Sequence, residues 1–589
     1  MNIFNELQND IITAAKQLCD DDEILQAVSI EIPKDNLNGD LSSNIAMIIA
    51  SRQSMKPNIQ SNMKANVKPK EIALKLKELL SPLPYIASIE VAGPGFINFT
   101  IKADNWHNTI NDILLDKTSF FKINVGNNKK VNIEYVSANP TGPMHVGHGR
   151  GAVYGDALAK VLDSTGYIVT KEYYVNDAGA QVDDLARTVM LRYKQALTKE
   201  DIVVPEGLYP GEYLIIVGQK LAAKYGDKLL TMQSNESHEL IRKFAVEEML
   251  SLIKHDLKEL DIEHDVFFSE KSLHDTGAID EVVALLTQMG LIYNGQLPAP
   301  KGKIDESWNS RTQRLFKSTE FGDNQDRPIE KSDGSWSYFA SDLAYAKNKI
   351  DRGADHLVYI LGADHAGYVK RIEAIVKALG KGKVDIDVKI CQLVNFVENG
   401  ESIKMSKRSG NFTSVQDVTN EVGKDIIRFI MLTRKNDITL EFDLAKVKEQ
   451  SKDNSVFYVQ YAYVRTISIL AKAEEAMKEA YSKFLENKYD LSLLSTEEEI
   501  DIIKCLASWP KTLEAAAKYF EPHRIAFYLI NLAAKFHSLW NFGKENNDYR
   551  FIVEDNIELT IARLALAKSV QKIIEIGFDV IGVTPLKKM

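Results

Sequence analysis

The stretch that most restricts the fold runs from residue 131 to 174. Val131-Asn132-Ile133-Glu134-Tyr135-Val136 reads as a strand, because β-branched and aromatic side chains suit a pleated surface. It runs into Asn139-Pro140-Thr141-Gly142-Pro143, a turn that neither a helix nor a central strand tolerates. A helix is expected from about 145 to 163, and a second strand over 167–174. Strand, crossover helix and strand form a βαβ unit, the seed of a parallel sheet with helices on its faces. Residues 357–361 and 388–394 supply later strands, and the mostly helical stretch from about 178 to 291 reads as insertions into the sheet domain.

With 589 residues the chain has room for roughly three to five domains. Ahead of the sheet, a helical start, the turn Asn38-Gly39-Asp40, a helix over 69–80 and two β-like runs around Gly93-Pro94-Gly95 form one α+β unit. From about 455 onward Val456, Val459, Tyr463, Ile467, Leu470, Ala473 and Met477 recur at three- and four-residue steps. Ile525, Leu529, Leu532, Phe536 and Leu539 do so again, the signature of a bundle of amphipathic helices. The fold class is therefore an α/β Rossmann-like parallel-sheet domain with helical insertions (125–450), an α+β N-terminal domain (1–115) and an all-α C-terminal bundle (455–589).

Composition excludes some classes. No apolar run reaches the roughly 18 residues a membrane span needs, and the first sixteen residues, with Glu6 and Asp10, lack the layout of a secretion signal. Cys19, Cys391 and Cys505 are far apart, so a structural zinc is not expected and a reducing, cytoplasmic setting is. The net charge of −10 argues weakly against a nucleic-acid partner, but phosphate is bound by local basic surface and not by the average.

Two motifs carry chemistry. His145-Val146-Gly147-His148 stands where the first strand gives way to its helix. A helix N-terminus offers unpaired N–H groups and partial positive charge, so it binds phosphate. Histidines three apart share a face and can donate to ATP oxygens, and Gly147 leaves room for a base to approach the backbone. Lys404-Met405-Ser406-Lys407 lies in a polar loop after the last strand, where its lysines can reach a triphosphate. Alone, the first motif is matched equally well by capping histidines, and a lone KxxK is better explained as a solvated basic loop.

Together, in this order and on either side of a parallel sheet, the two resemble the signature motifs of class I aminoacyl-tRNA synthetases. The lead-in Ile133-Glu134-Tyr135-Val136-Ser137-Ala138-Asn139-Pro140-Thr141-Gly142-Pro143, the turn Glu172-Tyr173-Tyr174-Val175-Asn176-Asp177-Ala178-Gly179, Gly39-Asp40-Leu41, Gly93-Pro94-Gly95-Phe96-Ile97-Asn98-Phe99 and Arg563-Leu564-Ala565-Leu566 are similar to the arginyl family. One departure is the polar stretch at about 54–68, which looks like a local insertion. The resemblance spans essentially the whole chain. It implies ATP-dependent attachment of L-arginine to tRNA(Arg) through an arginyl-adenylate, with release of pyrophosphate and then AMP. It implies Mg²⁺ accompanying ATP, activation that requires bound tRNA, no membrane partner and a monomer. The N-terminal domain then contacts the tRNA corner and the C-terminal bundle its anticodon arm.

The resemblance also implies a site. Glu134, Tyr338 and Asp342 bind the guanidinium, a planar group with five donors whose natural partner is a carboxylate. Asn139 and the Ser137 backbone hold the α-groups. His145, Gly147, His148, Gly362, Asp364, His365, Lys404, Met405, Ser406 and Lys407 serve ATP, with His145 and His148 at the α-phosphate and Lys404 and Lys407 at the leaving pyrophosphate. No metal ligands are expected from the protein. Taken singly, Glu134 also fits a strand-edge charge, Tyr338 packing, Asp342 a solvated helix position, His365 a turn cap, and Asn176 or Asp177 a turn former. Without substrate, Asp342 is expected to be solvated in an open pocket. Three alternatives stay open: the same chemistry on lysine, a nucleotidyltransferase sharing the HxGH helix, and a non-catalytic tRNA-binding relative.

Overall fold

The computed structural model describes residues 3–19, 21–33, 35–55, 68–121, 123–297, 312–398, 401–402, 414–451 and 453–589. Lys404, Met405, Ser406 and Lys407, and most of the polar stretch at 54–68, lie outside the described residues.

The N-terminal unit packs helices, among them Ile3–Lys16 and Pro69–Leu80, on a three-stranded antiparallel sheet. Strands Ile86–Ala92 and Phe96–Ile101 form a hairpin about Gly93-Pro94-Gly95, and Leu41–Ser43 pairs with the far side of the second strand. Gly39 is required where it stands: its φ is +77°, and a Cβ there would lie 2.8 Å from the Phe99 carbonyl oxygen. The next residue, Asp40, accepts the Ile101 N–H at 2.8 Å and pairs with Lys504 of the C-terminal bundle at 2.6 Å.

The central sheet holds β1 (Lys130–Glu134), β2 (Ile168–Val175), β3 (Val266–Ser269), β4 (His356–Gly362) and β5 (Asp385–Cys391). All neighbours are parallel, in the order β5-β4-β1-β2-β3. The winding reverses between β1 and β4, so the crevice beyond their C-terminal ends is the ligand position for an open α/β sheet. The helices used below are α1 (Gly149–Ser164), α2 (Ser234–Glu259), α3 (Tyr338–Asp351), α4 (Val415–Val422) and α5 (Lys424–Met431).

Four details differ from the reading of the sequence. The first strand ends at Glu134 rather than 136, because Val136 and Ser137 take φ of +71° and +39°. The helix of the βαβ unit opens with a 3₁₀ turn, Val146–His148, and is α-helical only from Gly149. The strand expected over 388–394 is two: β5 stops at Cys391, and Val394–Glu398 pairs with Leu440–Asp443 in a separate small sheet. The helical insertion also hides β3, which pairs in parallel with β2. Four residues, Val-Phe-Phe-Ser, carry too little periodicity to separate a strand from a buried helical turn.

The C-terminal helices Ser455–Ala476, His523–Glu545 and Ile557–Val580 bury the apolar stripes read from the sequence, including Val459, Leu529, Leu532 and Phe536. Inside them Arg563 pairs with Glu499 at 2.7 Å and donates to the Arg550 carbonyl. No helix among the described residues is long and apolar enough to cross a membrane. The three cysteines are free and buried, and burial pushes the Cys391 and Cys505 thiols up to about 12.

Arg428, on α5, ties the sheet domain to the bundle. Its guanidinium pairs with Asp156 of α1 at 2.6 Å and donates to the carbonyls of Leu260, just past α2, and Ile581, just past the last helix. Gly582 follows with φ +69°, and a Cβ there would sit 2.2 Å from the same guanidinium. Replacing Arg428 by Met should leave Asp156 a buried charge without its cation. That should cost about 3–5 kcal/mol, seen as a lower thermal midpoint. An unchanged midpoint would show that the contact holds nothing together.

Candidate active site

A cleft of about 870 Å³ opens beyond the C-terminal ends of β1 and β4. Its two ends differ in chemistry.

At one end stands the His145 turn. His145 is extended and His148 closes the 3₁₀ turn, so the imidazoles stack with centroids 3.7 Å apart and planes 15° from parallel. Both line the cleft, where α1 begins and its first N–H groups lack helical partners. Gly147 has a more local reason than the one read from the sequence. A Cβ there would come within 2.8 Å of the His145 ring, so glycine is what lets that ring fold over the turn. Arg150, which the sequence reading missed, donates to the carbonyls of Gln392, Lys435 and Ile438 and so locks α1 against the chain leaving β5. Gly362, Asp364 and His365 also line this end, on β4 and the 3₁₀ turn after it. Asp364 and His365 are exposed and lie 3.5 Å apart. The chain containing Lys404 to Lys407 re-enters the described structure at Ser414, which is backbone-bridged to His145.

At the other end carboxylates converge. Glu134 closes β1, and its Oε2 receives Lys349 Nζ of α3 at 2.5 Å. That lysine is fully buried and lies over the rings of Tyr345 and Tyr359 at 4.3 and 4.0 Å. Glu172 of β2 is matched in the same way by Arg352 at 2.7 Å and by Asn132. Asp342 and Glu270 also line the cleft, and among the described residues neither makes an ion pair. Burial, then the charges of Glu270 and Glu134, push the Asp342 carboxyl up to about 7, with Arg371 opposing. Burial, then Asp177, raises Glu270 as well, against hydrogen bonds from Tyr174 and Ser341.

Glu134 lies in the cleft, where its Oε2 holds Lys349 and its Oε1 accepts from the Ser137 hydroxyl at 3.2 Å. One expectation changes here. Asp342 is not simply solvated, because the cleft wall and two like charges desolvate and destabilise its ionised form. Glu270 was missed because nothing local marks it. It is the first residue of a short helix after β3, a strand the sequence did not reveal.

The remaining residues fall between the ends. Tyr338 and Asp342 share one face of α3, as their spacing predicts, with Tyr338 exposed at the mouth. Asn139 is held by Gln181 at 2.8 Å and Asn176 at 3.3 Å. Ser137 gives its N–H to the Tyr135 carbonyl, and its hydroxyl bridges the Tyr174 N–H and Glu134. Its own carbonyl is therefore what the backbone offers a cationic α-ammonium. Asp177 is structural, accepting from Ser269 and the Lys271 N–H.

Residues 109–468 match the family model for the catalytic domain of class I (R) tRNA synthetases. The chain belongs to the arginyl-tRNA synthetase family. Residues 5–101 match the arginyl tRNA synthetase N-terminal domain, and residues 459–589 the DALR anticodon binding domain. Proteins of Rickettsia felis and Rickettsia bellii named arginine–tRNA ligase are 68% identical over 589 residues, all of both chains. A solved Thermus thermophilus arginyl-tRNA synthetase shares the fold, with TM-score 0.74 over all of both chains at 19% identity. As a member of that family the chain is an aminoacyl-tRNA synthetase, a ligase of arginine and tRNA, and the family draws on ATP.

The raised Asp342 carboxyl makes a prediction for the substrate-free enzyme. Because its folded value lies above the ordinary 3.8, the folded state binds the extra proton. Its favourable contribution is complete below the unfolded value and lost as pH rises through about 7. Asp342→Asn should therefore melt higher than the parent at pH 8, and this advantage should shrink as pH is lowered toward 4. An advantage independent of pH would show that the carboxylate is solvated.

Proposed function

We propose that the cleft activates arginine with its side chain at the Asp342 and Glu270 end and its carboxylate facing the stacked histidines. The observation that supports this reading most is the concentration of carboxylates that the chain's own cations do not fully neutralise. A guanidinium brings five N–H donors and a delocalised charge, and answers both Asp342 and Glu270. Glu134, whose Oε2 holds Lys349, has its other oxygen left for the same guanidinium. Tyr338 covers the mouth, and Asn139 with the Ser137 carbonyl receives the α-ammonium. Lysine, the competing cation, is a point charge and uses a forked acceptor set less fully.

The first step is attack of the arginine carboxylate on the α-phosphorus of ATP, with pyrophosphate leaving. Positioning and electrostatics dominate such a step, since the protein forms no bond itself. His145 and His148, with the N-terminal N–H groups of α1, stabilise charge on the α-phosphate. Lys404 and Lys407 serve the leaving pyrophosphate, and Gly362, Asp364, His365, Met405 and Ser406 seat the nucleotide. Mg²⁺ enters as part of the nucleotide substrate, carried by phosphate oxygens and water. In the second step a terminal ribose hydroxyl of tRNA attacks the acyl carbon and AMP leaves.

The same reading gives each domain a task. Residues 1–115 contact the tRNA corner, 125–450 catalyse, and 455–589 hold the anticodon arm. A monomeric state and a cytoplasmic location go with the proposal, carried over from the family.

Pyrophosphate exchange in the presence of tRNA tests both ends of the cleft. His148→Ala should slow activation by about 10²–10³-fold with the arginine KM little changed. Asp342→Asn should lower efficiency with arginine by roughly two to four decades, the scale of a broken buried pair, while any use of the neutral isostere citrulline suffers far less. Unaltered arginine use by Asp342→Asn, or an unaltered rate with His148→Ala, contradicts the corresponding end.

A further inference from the structure

The peptide before the His145 turn is gripped from both sides. The Met144 N–H donates to Asp256 Oδ2 at 2.7 Å, and the Met144 carbonyl accepts the Val415 N–H at 3.0 Å. One residue on, His145 is bridged to Ser414 through the backbone. Ser414 caps α4 reciprocally with Asp417, its hydroxyl taking the Asp417 N–H at 3.0 Å.

Asp256 reaches this junction from far away in sequence. It lies near the C-terminal end of α2, in the insertion between β2 and β3, and is only 3% exposed. Helix α2 also packs against α4. One carboxylate thus stands where the insertion, the histidine turn and the start of α4 meet. Its surroundings do not favour a charge. Burial, Glu259 on its own helix and Asp417 on α4 push it up to about 6, against the Met144 N–H and His255. A hydrophobic side chain would fill this space without that penalty. It would leave the Met144 N–H without its acceptor, and Met144 itself is fully buried.

We propose that Asp256 is a positioning residue for arginine activation, which by holding the Met144 peptide sets the orientation of the stacked His145–His148 pair toward the ATP phosphates. The inference rests on the phosphate role given to those histidines above. Asp256 does not line the cleft, and among the described residues its carboxylate accepts from the Met144 N–H, so its influence reaches the site through the turn. The arginine end is built by β1, α3 and the short helix that opens with Glu270, and among the described residues Asp256 is hydrogen-bonded to none of them.

The test is pyrophosphate exchange with tRNA present on Asp256→Ala, Asp256→Leu and Asp256→Asn, with His148→Ala measured in parallel. Ala and Leu both remove the acceptor, and Leu keeps the branched shape while filling the site. Asn keeps an acceptor oxygen for the Met144 N–H. Turnover should fall by roughly ten- to a hundred-fold in Ala and Leu, the scale of a displaced catalytic group, with the KM for arginine unchanged. Asn should stay within about threefold of the parent. If Ala does not fold, the contrast between Leu and Asn decides. Equal loss in Leu and Asn, or a rise in arginine KM matching the fall in turnover, would make Asp256 a packing residue and overturn the proposal. Normal turnover in Leu beside a slow His148→Ala would overturn it and leave the phosphate role standing. Normal turnover in His148→Ala would remove the phosphate role and the proposal with it.

Discussion

Negative charge in excess at one edge of the central sheet is the constraint around which the rest is arranged. Glu134, Glu172, Glu270 and Asp342 crowd the C-terminal ends of β1 to β3 and the face of α3. In a medium of low dielectric their mutual repulsion is far stronger than in water. The fold answers half of it. Lys349 is buried against Glu134, and Arg352 spans both oxygens of Glu172. Helix α3 supplies Asp342 and Lys349 on the same side, two turns apart, so one helix carries both the unanswered charge and an answered one. What remains on Asp342 and Glu270 is a destabilising arrangement for the empty enzyme. On the proposed reading it becomes a favourable one when a planar cation arrives. Stored repulsion of this kind is a common reason why an active site is less stable than the scaffold that holds it.

The opposite end depends on backbone placement. The sheet delivers His145 to the start of α1, the 3₁₀ turn stacks its ring on His148, and Gly147 makes room for that stack. Around this turn Arg150, Asp256 and Ser414 fix the chain from three different elements. Arg428 joins α1, the end of α2 and the end of the last C-terminal helix through one guanidinium.

Much of this was legible in the sequence, for reasons that particular residues make clear. The 131–174 unit announced a parallel sheet because its turn residues and its periodicity agree. Tyr338 and Asp342 were placed on one face by helical spacing alone. The C-terminal stripes, such as Leu529, Leu532 and Phe536, were readable because a bundle buries one face of each helix. What escaped is long-range. Lys349 meets Glu134 across 215 residues, and Asp256 meets Met144 across 112. No local pattern encodes either meeting. Val136 misled because its β-branched side chain prolongs an apparent strand, whereas the backbone there turns left-handed. Glu270 stayed hidden because its position depends on β3, which is too short to carry a period.

The central claim, that arginine enters to satisfy an ionisation the empty cleft suppresses, is tested most directly by the protons exchanged on binding. Calorimetry of arginine binding near pH 7, repeated in buffers of different ionisation enthalpy, reads that number. The account predicts net proton release, up to about half a proton per site at that pH, as the guanidinium draws Asp342 into its charged form, and its disappearance in Asp342→Asn. Binding with no proton release, or with the same release in Asp342→Asn, would contradict it.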